Sequence, residues 1–391
     1  MTEPGASNAN ADIVIVGAGP VGMTLALALA GSAQRVVLVD HRPRGAWAGD
    51  PRALALSHGT RQLLERLDAW NTAAATPIRT IHVSQRGGFG RTLLDAAEYS
   101  VPALGYVMRY RELAATLNAA LDAQRDAVRW LDDSAVGDIQ TDGDAARLTV
   151  TRHGQAQQLS ARLIVHAEGS PPDAPGIKVR DYHQHAVLAE VRSASGHANR
   201  AWERFTPDGP LALLPLGKAY SVVYTVPPEK AARLLELDDA GFLAALRTQF
   251  GSRLDFVASG PRSSYPLALR VRAQLTQTRQ VWIGNTAQTL HPVSGQGFNL
   301  GLRDAWELAE TLLANGHDDA GDPAALAAYA RARRLDRQGS TAFTDGIVRL
   351  FSNDLPPLRA ARGLGLLALD LCPPLRHFVA KRMIWGARAW P

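Results

Sequence analysis

The chain has 391 residues, of which 46% are hydrophobic and 20% charged, so a large core can form and bulk disorder is excluded. Its length allows two domains, or one fold carrying an inserted layer. A single cysteine, Cys372, closes no internal disulfide, and no Cys/His cluster stands at metal-ligand spacing, so the expected metal content is none. The net charge of +5 is uneven: from Ser340 onward seven basic residues face three acidic ones, a net +4.

In chain order, Met1 to Ala11 is small and polar and predicts no secretory signal. Asp12–Val16 (DIVIV) is a β-branched apolar run and reads as a buried strand. Gly17–Gly22 (GAGPVG) follows at once. Met23–Ala30 then reads as a helix stopped by Gly31, and Arg35–Val39 as a second strand. This is one βαβ unit. Arg52–Asp68 has helical spacing, Ile78–Ser84 reads as a strand and Arg111–Ala123 as a helix. Leu148–Thr151 and Leu163–His166 read as strands. The alternating runs from Ala186 to Val226 predict an antiparallel sheet. Ala231–Phe250 reads as a helix, Val281–Gly284 as a buried strand and Leu300–Leu313 as a helix. The tail from Thr341 is helical in pattern and interrupted at Pro356-Pro357 and Pro373-Pro374.

The predicted class is therefore α/β. A discontinuous Rossmann-type unit would comprise residues 1–76, 105–182 and 278–340. A β-sheet unit would comprise 77–104 and 183–277, with a helical segment over 341–391.

Each glycine of Gly17-x-Gly19-x-x-Gly22 has a mechanical reason. The first permits a tight turn, the second lets backbone approach a pyrophosphate, and the third lets helix and strand pack closely. The helix N-terminus then offers free N–H groups to the phosphates. Asp40 ends the next strand 18 residues after Gly22, where a carboxylate accepts hydrogen bonds from a ribose and repels a 2′-phosphate. This pattern points to a dinucleotide and does not choose between FAD and NAD. A second constellation lies in VWIGNTAQTLHPVSGQGFNLGLRD, Val281 to Asp304. Its glycines open a helix, and their backbone donors suit either a flavin's N1–C2=O edge or an ordinary strand–loop–helix turn.

The segments GAGPVG, DPRALALS (Asp50–Ser57), RYREL (Arg109–Leu113), AWERFTPDGPLALLPL (Ala201–Leu216), YPLAL (Tyr265–Leu269) and GNTAQTLHPVSGQGFNLGLRDAWELAE resemble the class A flavoprotein monooxygenases. Within that class they are most similar to the ubiquinone-biosynthesis hydroxylases, in their 2-polyprenyl-6-methoxyphenol hydroxylase branch. The resemblance runs from about Ile13 into the tail. It implies a p-hydroxybenzoate-hydroxylase-like fold, bound FAD, NAD(P)H as reductant and O₂ as co-substrate. The implied reaction hydroxylates the ring of a polyprenylated phenol through a flavin C4a-hydroperoxide, the chemistry being mainly the cofactor's.

Carried over by position, Gly17, Gly19, Pro20 and Gly22 would face the FAD pyrophosphate and Asp40 the adenosine ribose. Arg111 would hold the pyrophosphate or ribityl region, Arg52 would sit near the flavin ring, and Val136 would complete the cofactor-facing set. Asn285 stands where most of the class has Asp, a mark of the 6-methoxyphenol branch. Pro292, Gly295, Gln296, Gly297, Phe298 and Asn299 would line the isoalloxazine. The chain departs from the class at His166-Ala167-Glu168-Gly169-Ser170, where Glu168 replaces an Asp and Pro171-Pro172 follow. This puts the reductant preference in question.

His291 is a candidate relay for the phenol proton, or a histidine bonded to its own loop. Tyr220 is a candidate to orient the phenol, or sheet packing. Leu213, Leu214, Pro215 and Phe205 are candidate pocket walls. The competing readings are hydroxylation at another ring position or of another phenol, a nicotinamide dehydrogenase without flavin, and a non-catalytic FAD-binding subunit. The chain is expected to be cytoplasmic, soluble or peripheral to the inner face of the membrane. Its basic tail, with Leu364–Leu371 and Trp385 and Trp390, would meet a bilayer surface or other ubiquinone-biosynthesis proteins. No nucleic-acid motif accompanies the charge.

Overall fold

The computed structural model describes residues 11–314, 319–352 and 356–386. The segment Met1–Asn10, the tail residues Arg388 and Trp390, and the Arg359 side chain lie outside the described residues.

The first sheet is built on Ala11–Val16. It pairs in parallel with Val36–Val39 on one side and Gln155–His166 on the other. Val128–Leu131 and Gln280–Trp282 extend the parallel set at its two flanks. The two central strands Ala11–Val16 and Val36–Val39 are short apolar runs covered on both faces, the usual condition of parallel sheets. One face packs the helices Pro20–Leu29, Tyr110–Ala123 and Gln296–Ala314 around Ile13, Ile15, Met23 and Leu38. The other packs Val14, Val16, Val37 and Val39 under the hairpin Ser134–Asp142 and Ala145–Arg152.

The second sheet has nine strands. Ser263–Arg272, Ile177–Ser193, Ala219–Val226, Gly209–Leu216 and Arg200–Thr206 follow in antiparallel order. Thr80–Gln85 joins this set in parallel, and Arg91–Asp95 closes the edge. Alternation gives the sheet two apolar faces. One buries Leu211, Leu213, Tyr220, Val222 and Tyr224 under the helices Pro228–Glu236 and Asp239–Phe250. The other turns toward the tail helices Pro323–Phe351, Pro356–Leu371 and Pro373–Trp385. Among the described residues no helix is long and apolar enough to cross a membrane.

Three expectations need correction. Arg52–Asp68 is not one helix. Ala53–Ser57 is a strand paired antiparallel with Gly105–Arg109, and only His58–Arg66 is helical. The Ser57 side chain caps that helix by accepting from the Thr60 N–H, a contribution of about 1 kcal/mol. The run Ala-Leu-Ala-Leu suits either period, and strand pairing decided it. Ala231–Phe250 is two helices, parted at Leu237 and restarted by Asp238, whose carboxylate caps Gly241. In the tail, the helix through Thr341 begins back at Pro323.

Candidate functional site

The first βαβ unit forms one wall of a groove of about 410 Å³. The strand Ala11–Val16 ends at Gly17, whose φ of +104° few L side chains adopt, and a Cβ there would lie 2.6 Å from the Ala167 backbone. A Cβ on Gly22 would sit 1.9 Å from the Gly17 carbonyl oxygen, so helix and turn touch only because Gly22 lacks a side chain. Gly19 and Pro20 open the helix with no side-chain cap, leaving its first N–H groups directed at the groove.

Asp40 is buried at the end of Val36–Val39. Its Oδ2 accepts from the Ala18 N–H at 2.7 Å and its Oδ1 from the Arg42 N–H at 2.8 Å. Burial opposes its charge, but the Arg42 guanidinium and these two backbone donors outweigh burial and hold the carboxyl below its usual range. Arg42 also borders the groove and was missed by sequence reasoning. Arg52 lies over the Tyr110 ring at 4.6 Å and pairs through both nitrogens with Asp50. Val136, Glu168, Gly169 and Asn285 complete the far wall. Glu168 is tied to His166 Nδ1 at 3.3 Å, and that imidazole stacks flat on Trp282 at 4.7 Å.

The late turn closes the groove from the other side. Gly297, Phe298 and Gly301 border it. A Cβ on Gly301 would fall 3.1 Å from both the Gly284 Cα and a Val21 methyl, so the second glycine turn rests directly on the first. A buried ionic set fixes this arrangement. Asp304 accepts from the Gly284 N–H at 3.0 Å, from Gln288 at 2.7 Å and from Arg333 at 2.7 Å. Asp336 accepts from Arg303 and Arg333. Burial works against the Asp336 charge, yet the two guanidinium groups hold it down to about 2. Asn299 clamps the turn to the neighbouring strand. Its Oδ1 accepts from the Ser57 N–H and the Thr60 hydroxyl, and its Nδ2 donates to the Ala55 and Gly295 carbonyls.

Pro292, Gly295, Gln296 and Asn299 do not line the groove but border a second cavity, an apolar chamber of about 310 Å³. Its floor is the second sheet, with Ala201, Glu203, Phe205, Ala212 and Leu214. Its roof is the tail, with Phe343, Phe351, Leu366 and Met383. One turn, 292–299, thus borders both the glycine-lined groove and an apolar chamber.

The remaining candidates are placed differently. Arg111 is half-exposed in the first turn of its helix, 3.7 Å from Glu112, and is not among the residues lining the groove. His291 is buried outside both cavity linings. Its Nδ1 accepts from the Val293 N–H, and burial pushes the ring down to about 4, so it stays neutral at physiological pH. Tyr220 is not brought to the chamber. Alternation on Ala219–Val226 turns Val223 and Thr225 to that side and Tyr220 to the opposite core, where its hydroxyl accepts from Trp202. Leu213 shares that core, whereas Leu214 and Phe205 wall the chamber.

The groove fits the cofactor the resemblance implies. Two glycine positions leave no room for a Cβ, two helix N-termini converge, and a buried carboxylate stands at the ribose end. The sequence profile of the FAD binding domain family matches residues 10–344. The chain is 34% identical over 401 residues to ubiquinone hydroxylase UbiL of Rhodospirillum rubrum, covering 99% of this chain and 92% of that one. It is 29% identical to 3-demethoxyubiquinol 3-hydroxylase of Escherichia coli, covering 96% and 98%. Among solved structures, p-nitrophenol 4-monooxygenase PnpA from Pseudomonas putida superposes with a TM-score of 0.77 at 19% identity, covering 97% of this chain and 99% of that one, a likeness of fold.

Proposed function

We propose a function from the premise that this chain belongs to the FAD binding domain family: it is an FAD-dependent aromatic monooxygenase of ubiquinone biosynthesis that hydroxylates a polyprenylated phenol. The observation that carries this reading is the shared turn 292–299, which borders the cofactor groove and the apolar chamber at once. Bound FAD would supply the transfer of electrons from NAD(P)H and the activation of O₂. The protein's part is positioning and exclusion of water. Gly17, Gly19 and the helix from Pro20 hold the pyrophosphate, Asp40 the ribose, and Arg42, Arg52 and Asn285 flank the groove between. Pro292, Gly295 and Gln296 hold the ring edge where the chamber begins. The dry walls of Phe205, Leu214, Phe351 and Leu366 keep water from the reacting end.

The tail supports a membrane-facing role. On Pro356–Leu371 and Pro373–Trp385, Leu366, Leu369, Val379 and Met383 face the chamber, while Leu364, Leu371 and Phe378 are 58%, 72% and 55% exposed. The same two helices are apolar toward the chamber and toward solvent, and Lys381 and Arg382 stand beside the outer surface. Contact with an anionic bilayer would let a prenyl chain pass from lipid to chamber. The reductant is NADH or NADPH, and Glu168 stands at the groove wall.

The test uses the purified holoprotein with 2-geranyl-6-methoxyphenol. Phenol-stimulated NAD(P)H oxidation with formation of a hydroxylated ring supports the reading. A yellow protein giving no product from any prenylated phenol overturns it. Deletion in the host, with identification of the accumulated intermediate, assigns the ring position.

A further inference from the structure

Glu203 stands on the floor of the chamber. Alternation along Arg200–Thr206 places it with Ala201 and Phe205 on the face turned to the tail helices. Across the strands its register partners are Ala212 and Val83, both apolar. Its Oε1 is buried without a hydrogen-bond partner. Leaving a carboxyl oxygen unpaired among apolar groups costs stability, and a Leu or Met of similar size would pack there at no such cost.

The surrounding charges do not answer it. On its own strand, Arg204 donates to the Gln249 carbonyl and Ser84, and Arg200 lies over Trp202. His82, on the adjoining strand, sits against Trp202 on the opposite face. Gly209–Leu216 carries no titratable residue. The helices above contribute Phe343, Ile347, Phe351, Leu366 and Leu369. Among the described residues Arg376 is the one other charged residue bordering the chamber, and its guanidinium is engaged by Glu98 and the Asp370 carbonyl. Other polar side chains there are matched internally: Thr92 with the Leu366 carbonyl, Ser294 with Thr344, and Gln296 with the Met383 carbonyl.

We propose that Glu203 is the chamber's receptor for the phenolic hydroxyl of the substrate: its carboxylate accepts the O–H hydrogen bond and takes the proton, making the ring electron-rich for attack. This rests on the functional reading above. The phenol O–H bond breaks, a carboxylic O–H bond forms, and the pair carries one negative charge before and after. The proton leaves for solvent when product departs. Burial pushes the free carboxyl up to about 8, so the ionised form is the minority at pH 7 and the proton affinity lies close to the working pH. A general base of that kind predicts a kcat/KM that rises with pH through about 8.

The experiment compares wild type with Glu203→Gln and Glu203→Asp, using 2-geranyl-6-methoxyphenol and measuring kcat and KM for hydroxylated product across that range. Flavin absorbance verifies that each variant carries FAD. The expected result is that E203Q, isosteric but unable to take a proton, loses the rising limb and falls about 100-fold or more in kcat. E203D is expected to regain part of the rate and the limb. Should E203Q prove too unstable to hold FAD, an E203D that titrates with a displaced midpoint supports the assignment, and one with the wild-type midpoint overturns it. An E203Q enzyme with wild-type kcat and pH profile overturns it while leaving the monooxygenase reading intact. A wild type that yields no product overturns the reading itself and this assignment with it.

Discussion

Replacing Arg333 by Met tests whether the buried ionic set holds the cofactor turn in place. Arg333 is 2% exposed and bridges Asp304 and Asp336, themselves 2% and 4% exposed. Met fills much of the volume but leaves Asp304 without its hydrogen-bonded ion-pair partner, while Asp336 keeps Arg303. Removing one partner of a buried ion pair costs about 3–5 kcal/mol, because the surviving charge is left uncompensated. Unfolding a chain of 391 residues carries an entropy of roughly 0.8 kcal/mol per kelvin, so the melting midpoint should fall by about 4–6 °C. The loss should also reach the groove, since Asp304 accepts the Gly284 N–H beneath the second turn. Thermal melts followed by tryptophan fluorescence and by release of free FAD give both readouts. The double variant R333M/D304N should recover part of the midpoint, because it removes the orphaned charge. Wild-type values for both midpoint and FAD retention in R333M would refute the reasoning.

Gly22→Ala places a methyl within 1.9 Å of a backbone oxygen, so the purified protein should lose the visible absorbance of bound flavin. Circular dichroism distinguishes that from global unfolding, and full FAD occupancy would contradict the packing argument. Asp336, held at about 2 when folded against about 3.9 when unfolded, contributes stability that is present above the unfolded value and lost as pH falls through about 4 toward 2. D336N should flatten that part of an acid-unfolding curve. Leu371→Asp with Phe378→Asp should weaken co-sedimentation with anionic vesicles severalfold without altering FAD content, and unchanged sedimentation would remove the case for a bilayer face. Tyr220→Phe deletes a hydroxyl that meets Trp202 on the side of the sheet away from the chamber, so kcat should stay within about twofold.

Much of the cofactor groove was legible because its signals are local. A strand, a glycine turn, a helix and a terminal acid occupy thirty consecutive residues, and Gly17 and Gly22 answer to steric demands at 2.6 and 1.9 Å. Arg42 was not legible, since nothing in HRPR separates it from Arg44 until Asp40 turns back to accept its N–H and guanidinium. The chamber was less legible still. Phe205 and Leu213 read alike as apolar residues of one motif, and only the sheet's alternation and the tail helices decide that one faces the chamber and the other the opposite core. Glu203 sat inside that motif unnoticed, because a single acidic residue in a strand signals a solvated face until a roof is placed over it. Asp304 and Arg333 stand 29 residues apart on two helices, beyond the reach of any spacing rule.

The roof itself separates two evolutionary problems. The matched family profile ends at residue 344, whereas Phe351, Leu366, Leu369, Val379 and Met383 lie past it and still enclose the apolar chamber. Under the proposed reading, changes past residue 344 alter the chamber's roof without touching the residues that line the glycine groove. Exchange of this terminal segment with that of a relative should then transfer substrate preference more readily than any single change near the glycine turns.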